Sequence, residues 1–262
     1  MSKILDLDGL LALSKSIASK AGSCALDRLS QHDKGYIHCL DFPKEVKSLA
    51  DEILNREILD SLAPLGIPIL SEESGYLFSN APTDYHFIVD PLDGTYNFIK
   101  GLGPSAVSIA LWRKKTPVFG VIYSFAGREL FWGGAGIGAF VDDKPVFVSN
   151  TETVSKASIC TGFPVRFDTD DSQEMKMFWN IIAPFGKVRM IGSAAMSLMY
   201  LARGSADAYF EKNIMLWDVA AGIAIVEGAG GTSCVTQSSI EHSLNVFSSN
   251  GRIIKNSQLL FL

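Results

Sequence analysis

Apolar residues recur at helical spacing across residues 7–29, where Leu10, Leu13, Ile17 and Ala21 share one side and predict an amphipathic helix. A second helix is predicted over residues 45–62, with Val46, Leu49, Ile53, Leu54 and Ile58 on one side. Pro64, Gly66 and Pro68 end it. The period then changes. Residues 67–70 and 86–89 are short apolar runs, each leading straight into acidic residues. Residues 106–112, 118–123 and 129–132 are β-rich, and Lys-Lys-Thr-Pro and Ala-Gly turns separate them, which predicts an antiparallel meander. Beyond residue 150 the pattern alternates. Strands are predicted near 157–160, 187–191, 208–210 and 246–248, with helices around 173–182, from 194 and from about 219. The expectation is a mixed α+β chain in two halves. Residues 1–150 carry a largely antiparallel sheet, and residues 151–262 are closer to α/β.

Composition narrows the classes. Of 262 residues, 47% are hydrophobic and 19% charged, the balance of a globular protein rather than a disordered one. A net charge of −5 argues against nucleic-acid polymers and anionic membranes as partners, since both select an excess of Lys and Arg. The first thirteen residues contain Asp6 and Asp8 and no basic cluster, so no secretory signal is expected. No apolar run reaches the roughly 18–20 residues that span a bilayer. Cys24, Cys39, Cys160 and Cys234 form no Cys-x-x-Cys pair, which excludes a zinc ribbon and predicts buried free thiols in a reducing cytoplasm.

Three stretches place carboxylates where an apolar run has just ended: Ser71-Glu72-Glu73, Asp90-Pro91-Leu92-Asp93-Gly94-Thr95, and Trp217-Asp218 before an apolar helix. In the middle stretch, Pro91 is expected to stop the strand, and Asp93 or Thr95 to cap the helix that follows. Carboxylates and the Leu92 carbonyl beside a helix N-terminus can ligate a cation while backbone amides take phosphate oxygens. An all-oxygen donor set suits Mg²⁺. Glu72, Asp90, Asp93 and Asp218 together could hold two ions bridged by one Asp, and the Thr95 hydroxyl could orient an attacking water. Singly, each stretch has a plain structural explanation: a turn with a cap, a solvated loop, a core Trp beside a helix start. Their joint occurrence points to a site.

At these residues the chain resembles the inositol monophosphatase family, over nearly its whole length. The family's Gly-Glu-Glu element is similar to Ser71-Glu72-Glu73, and its Asp-Pro-(Ile/Leu)-Asp-Gly-Thr signature to the stretch from Asp90 to Thr95, continued by Tyr96-Asn97-Phe98. Its Trp-Asp-x-Ala-Ala-Gly element is similar to the stretch from Trp217 to Gly222, with Glu227-Gly228-Ala229-Gly230-Gly231 after it. The resemblance implies an αβαβα sandwich of the inositol monophosphatase and fructose bisphosphatase type, a homodimer, and hydrolysis of a small phosphate monoester with two Mg²⁺ ions. It implies that Glu72, Asp90 and the Leu92 carbonyl hold one ion, and Asp90, Asp93 and Asp218 the other. Gly94 and Thr95 would bind phosphate, and Asp51 would support Thr95. Gly192, Ser193 and Ala194 would contact substrate, and Glu211 would accept hydrogen bonds from its hydroxyls. The family's lysine for a third, weakly held Mg²⁺ is missing from its usual offset: Lys47-Ser48 stands at the family's Val-Thr pair, and Lys34 and Lys44 lie elsewhere.

Relatives use inositol phosphates, sugar phosphates, histidinol phosphate or a nucleoside 3′,5′-bisphosphate. Tyr96-Asn97-Phe98 and Glu211 favour a polyhydroxylated ring. Two competing readings exist. Residues 4–9, Ile-Leu-Asp-Leu-Asp-Gly, have the form of a haloacid-dehalogenase nucleophile loop, against which Asp6 or Asp8 is expected to be a helix cap. A non-catalytic binding protein of the same fold would be expected to have lost part of the water-activating set, and all of that set is present.

Overall fold

Asp6 opens the first helix. Its carboxylate accepts the Gly9 amide at 2.9 Å and its carbonyl the Leu10 amide at 3.0 Å. An aspartate used as a cap at the start of a helix is not presented by a strand end, so the dehalogenase-like reading fails. The computed structural model describes residues 5–28, 36–38, 46–77, 83–163, 168 and 170–253. Lys34, Cys39 and Lys44 lie outside them.

In chain order, α1 (Leu7–Arg28) precedes a short antiparallel pair, β1 (Tyr36–His38) and β2 (Val46–Ser48). The second helix, α2, is Leu49–Leu62, so the expected helix begins four residues late and Val46 belongs to a strand. Leu49 is 49% exposed rather than packed, because the inward stripe is Leu54, Ile58 and Leu62. There follow β3 (Ile69–Ser71), β4 (Gly75–Leu77), β5 (Tyr85–Asp93), α3 (Thr95–Lys100), β6 (Ala106–Arg113) and β7 (Thr116–Ser124). The first half closes with β8 (Glu129–Gly134), β9 (Gly138–Val141) and β10 (Lys144–Pro145). The second half contains β11 (Ser158–Thr161), α4 (Ser172–Ile182), β12 (Lys187–Met190), α5 (Ala194–Ala202) and β13 (Ala208–Met215). It ends with α6 (Leu216–Gly228), β14 (Thr232–Gln237) and β15 (Ser243–Ser249).

The first sheet has eight strands in the order β10-β9-β8-β7-β6-β5-β3-β4, antiparallel except for β3 against β5. The second has five in the order β12-β11-β13-β15-β14, with parallel pairs around β11 and antiparallel pairs around β15. Strand alternation sorts the core into layers. Phe87, Val89, Val107, Ile109 and Leu111 face α1 and α2, while Ile88, Ala106, Ala110 and Trp112 face α5 and α6. On β13, Tyr209 faces α5 and α6, whereas Ala208 and Phe210 pack with Phe178 and Ile182 of α4. The layers therefore run helix, sheet, helix, sheet, helix.

The central helix pair is seated closely. A Cβ added to Gly120 of β7 would lie 2.1 Å from the Ala221 carbonyl oxygen of α6, so only glycine lets that helix rest on the sheet there. This contact fixes where the N-terminus of α6 falls relative to the end of β5, and so positions Asp218 beside Asp90.

Candidate active site

β5 does not stop at Pro91. It continues to Asp93 through an irregularity in which the pairing with β6 jumps from Asp90 to Asp93. A missing N–H costs nothing where the ladder is already interrupted, which is why a proline is tolerated inside this strand. The bulge lets Asp90 and Asp93 both face one cavity instead of alternating across the sheet. The Asp90 Oδ1 atom accepts the Leu92 amide at 2.9 Å, while Oδ2 is buried without a hydrogen-bond partner among the described residues.

The helix start also differs from expectation. Gly94 is the cap of α3, at φ +77°, and no side chain caps that helix. A Cβ there would come within 2.9 Å of the Pro104 carbonyl, so glycine is required both for the turn and for the space. Asp93 instead serves another helix. Its carboxylate accepts the Ser193 hydroxyl, the Ala195 amide at 3.0 Å and the Ala194 amide at 3.3 Å, at the N-terminus of α5. Ser193 is the cap of α5 and takes the Met196 amide at 3.2 Å. Burial, partly offset by the bonds from Ser193, Ala195 and Ala194, pushes the Asp93 carboxyl up to about 6.

Asp218 lies in the first turn of α6, which begins at Leu216 rather than near Val219. Glu72 sits in the turn after β3, its amide held by the Val89 carbonyl at 3.1 Å. Ligand atoms of Glu72, Asp90 and Asp218 all lie within 4.8 Å of one another. Burial first, then the charges of Glu72, Asp93 and Asp218, drives Asp90 well above the ordinary carboxylate range. Asp218 is raised by burial and by Glu72, Asp93 and Glu211. A cation is the group such a cluster fits. The donors are all oxygen, they repel one another, and one buried carboxylate oxygen is left without a donor.

The Thr95 hydroxyl stands 2.9 Å from Asp51 Oδ1 and 2.9 Å from the Leu92 carbonyl. Asp51 is buried in the first turn of α2, and its second oxygen accepts the Ser48 amide at 2.7 Å and the Ser48 hydroxyl at 2.6 Å. Burial raises its pKa against those bonds. Thus the capping box of one helix presents its free carboxylate oxygen to the first residue of another.

The cavity, about 290 Å³, brings together Glu72, Asp90, Leu92, Asp93, Gly94, Thr95, Gly192, Ser193, Ala194, Glu211 and Asp218. Asp51 stands behind Thr95. Glu211 is buried on β13 and is pushed up to about 8 by burial and by the charge of Asp93. Phe163, Asn213 and Met215 also line the cavity and were not singled out by the sequence. Asn97, read in the sequence only as part of Tyr96-Asn97-Phe98, stands outside the cavity lining, and its side-chain amide donates to the carbonyls of Ile191 at 2.8 Å, Pro104 at 2.9 Å and Gly192 at 3.2 Å. It ties α3 to the turn before α5. No periodicity marks it; only its place next to Gly-Thr does. Of the expected buried thiols, Cys160 fits, whereas Cys234 is exposed on edge strand β14, and neither is bridged.

The chain resembles several known proteins along most of its length. A "Nus factor SuhB" of Pasteurella multocida is 36% identical over 209 residues, 77% of this chain and 78% of the relative. A "Fructose-1,6-bisphosphatase/inositol-1-monophosphatase" of Aquifex aeolicus is 30% identical, over 88% of this chain and 85% of its own. Among solved structures, an inositol monophosphatase from Anabaena superposes with a TM-score of 0.80 at 32% identity, covering 96% of this chain and 94% of that one. The extragenic suppressor protein SuhB of Bartonella henselae gives 0.82 at 32%, covering 93% and 95%. The sequence pattern of the inositol monophosphatase family runs across residues 6–260, through every element that builds the cavity, and the chain belongs to that family.

Proposed function

We propose that the protein is a Mg²⁺-dependent phosphomonoesterase acting on a small polyol, cyclitol or sugar phosphate, with inositol monophosphate the first candidate. The observation that carries this reading is the convergence of Glu72, Asp90 and Asp218 within 4.8 Å, beside Thr95 and its Asp51 partner. Glu72, Asp90 and the Leu92 carbonyl would hold one ion, and Asp90, Asp93 and Asp218 a second. A third, weaker site lacks its usual lysine. Bound Mg²⁺ supplies charge neutralisation for the ester and acidifies a water.

The chain's own residues do the rest. The amide N–H groups of Gly94 and Thr95, at the start of α3, donate to phosphate oxygens. The Thr95 hydroxyl orients the attacking water, takes a proton from it and passes its own to Asp51, whose raised pKa suits a proton acceptor. Ser193 and Ala194 border the leaving side, and Glu211 receives substrate hydroxyls.

No described helix is long and apolar enough to cross a membrane. Unbridged Cys160 and Cys234 support a reducing, cytoplasmic setting. The family resemblance supports a homodimer, which light scattering on the purified protein would report as twice the monomer mass. The test of the activity is phosphate release from cyclitol, sugar and nucleotide phosphates with Mg²⁺ and with excess chelator. Turnover that survives the chelator sinks the reading.

A further inference from the structure

The register between β13 and β15 breaks between Glu211 and Ile214, so Lys212 and Asn213 leave the ladder beside the cavity. Asn213 lines that cavity and takes φ +57°, a left-handed conformation that asparagine tolerates better than most side chains. Three bonds hold the bulge. Lys212 Nζ pairs with Glu174 Oε1 at 2.8 Å, the Asn213 amide N–H donates to Asn245 Oδ1 at 3.1 Å, and Ser238 Oγ donates to Asn213 Oδ1 at 2.7 Å.

Ser238 Oγ also accepts the Ile240 amide at 3.2 Å, so one hydroxyl ties the bulge to the turn that follows β14. With Oδ1 occupied, the side-chain NH₂ of Asn213 is the free end of the amide, and no described residue accepts from it. Two residues earlier on the same strand, Glu211 offers the same cavity a carboxyl group. An acceptor and a donor two residues apart on one strand, both lining the cavity, suit hydroxyls of one ring.

We propose that Asn213 is a specificity-determining residue, donating to the hydroxyl next to the one that Glu211 receives, so that the site selects phosphate esters carrying vicinal hydroxyls. This rests on the phosphatase reading above and adds a residue and a selection rule to it. The bulge is anchored before substrate arrives, so little ordering is left to oppose the contact.

The experiment compares kcat/KM for inositol 1-phosphate and for cyclohexyl phosphate, a ring without hydroxyls, in Mg²⁺. The proteins are wild type, Asn213→Gly, which keeps the positive φ without strain, and Asn213→Asp, which exchanges the donor for an acceptor. Wild type should favour the hydroxylated ring by more than about tenfold. Asn213→Gly should lower that ratio by about fivefold to tenfold, the scale of one hydrogen bond, and Asn213→Asp by more. Ser238→Ala, which frees the amide to turn, should fall between Asn213→Gly and wild type. Ratios within twofold of wild type in both Asn213 variants overturn the assignment, as does a wild type that hydrolyses both esters without preference. A wild type that hydrolyses neither ester overturns the assignment, and one that also hydrolyses none of the cyclitol, sugar and nucleotide phosphates sinks the phosphatase reading along with it.

Discussion

Asp93→Asn changes one oxygen to a nitrogen, and two opposed terms of similar size decide what that does to the fold. The carboxylate accepts three donors from the start of α5: Ser193, Ala194 and Ala195. An amide has a single acceptor oxygen, so at least one charge-assisted bond is lost, at about 1.5–3 kcal/mol. Against this stands the burial of the charge. The rise from 3.8 to about 6 corresponds to about 3 kcal/mol held against the ionised form. Because the folded value is the higher one, that contribution is complete below pH 3.8 and is lost as pH rises through about 6. Near pH 7.5 the metal-free wild type has already lost it, and the uncharged variant has nothing to lose. The metal-free proteins should therefore agree to within about 2 kcal/mol, or a few degrees in Tm for a chain of this length. Added Mg²⁺ should separate them. Each site filled at a hundred times its Kd stabilises by about 2.7 kcal/mol, roughly 5–10 °C here, and the variant, which keeps the Glu72–Asp90–Leu92 site, should lose the share of the second. Turnover should fall by more than about 100-fold, beyond what loss of a ligand's own hydrogen-bond partner does. Thermal melts with and without Mg²⁺, run beside a phosphate-release assay, read both quantities. A variant that keeps the wild-type Mg²⁺ shift, or more than about a tenth of the turnover, refutes the role given to Asp93.

Asp51→Asn should leave KM near wild type and lower kcat by about 100-fold, because it removes the acceptor behind Thr95 rather than a phosphate contact; a kcat within threefold of wild type contradicts this. Asp207 is a structural carboxylate away from the cavity. Burial works to raise it, but bonds from Ser149, Ser158 and Thr151 outweigh burial and hold it below the ordinary 3.8. It therefore contributes stability above pH 3.8 that is lost as pH falls through its lowered folded value. Asp207→Asn should lower stability at pH 7 by about 1–3 kcal/mol and flatten the acid limb of a urea-midpoint against pH plot, and an unaltered acid limb would count against it. Gly120→Ala should lower Tm by several degrees, since its Cβ would meet the Ala221 carbonyl at 2.1 Å and force α6 off the sheet, at about 1–3 kcal/mol or more. An unchanged Tm would mean that the helix is free to shift.

The sequence determined the mixed α and β class of the fold and the identity of the acidic residues, while the five layers followed only from the family resemblance. The β-rich run at residues 106–112 reads as a strand, and the structure buries it on both faces. The sequence misjudged boundaries wherever a local rule met a tertiary one. Pro91 reads as a strand stop, yet the bulge between Asp90 and Asp93 removes the hydrogen bond that proline cannot make. Asp93 reads as the cap of the next helix in sequence, yet it caps α5, a hundred residues later, because that helix start is the one folded against it. Spacing along a chain carries no such information. Whether Glu72, Asp90 and Asp218 meet depends on how closely α6 approaches the sheet, which glycine at 120 permits, and on a register shift in β5. The tying role of Asn97 and the place of Asn213 became legible only when their amides were seen among carbonyls and hydroxyls from distant turns. Which residues are acidic is written in one dimension; which of them are crowded closely enough to suit a cation is decided only by burial in three.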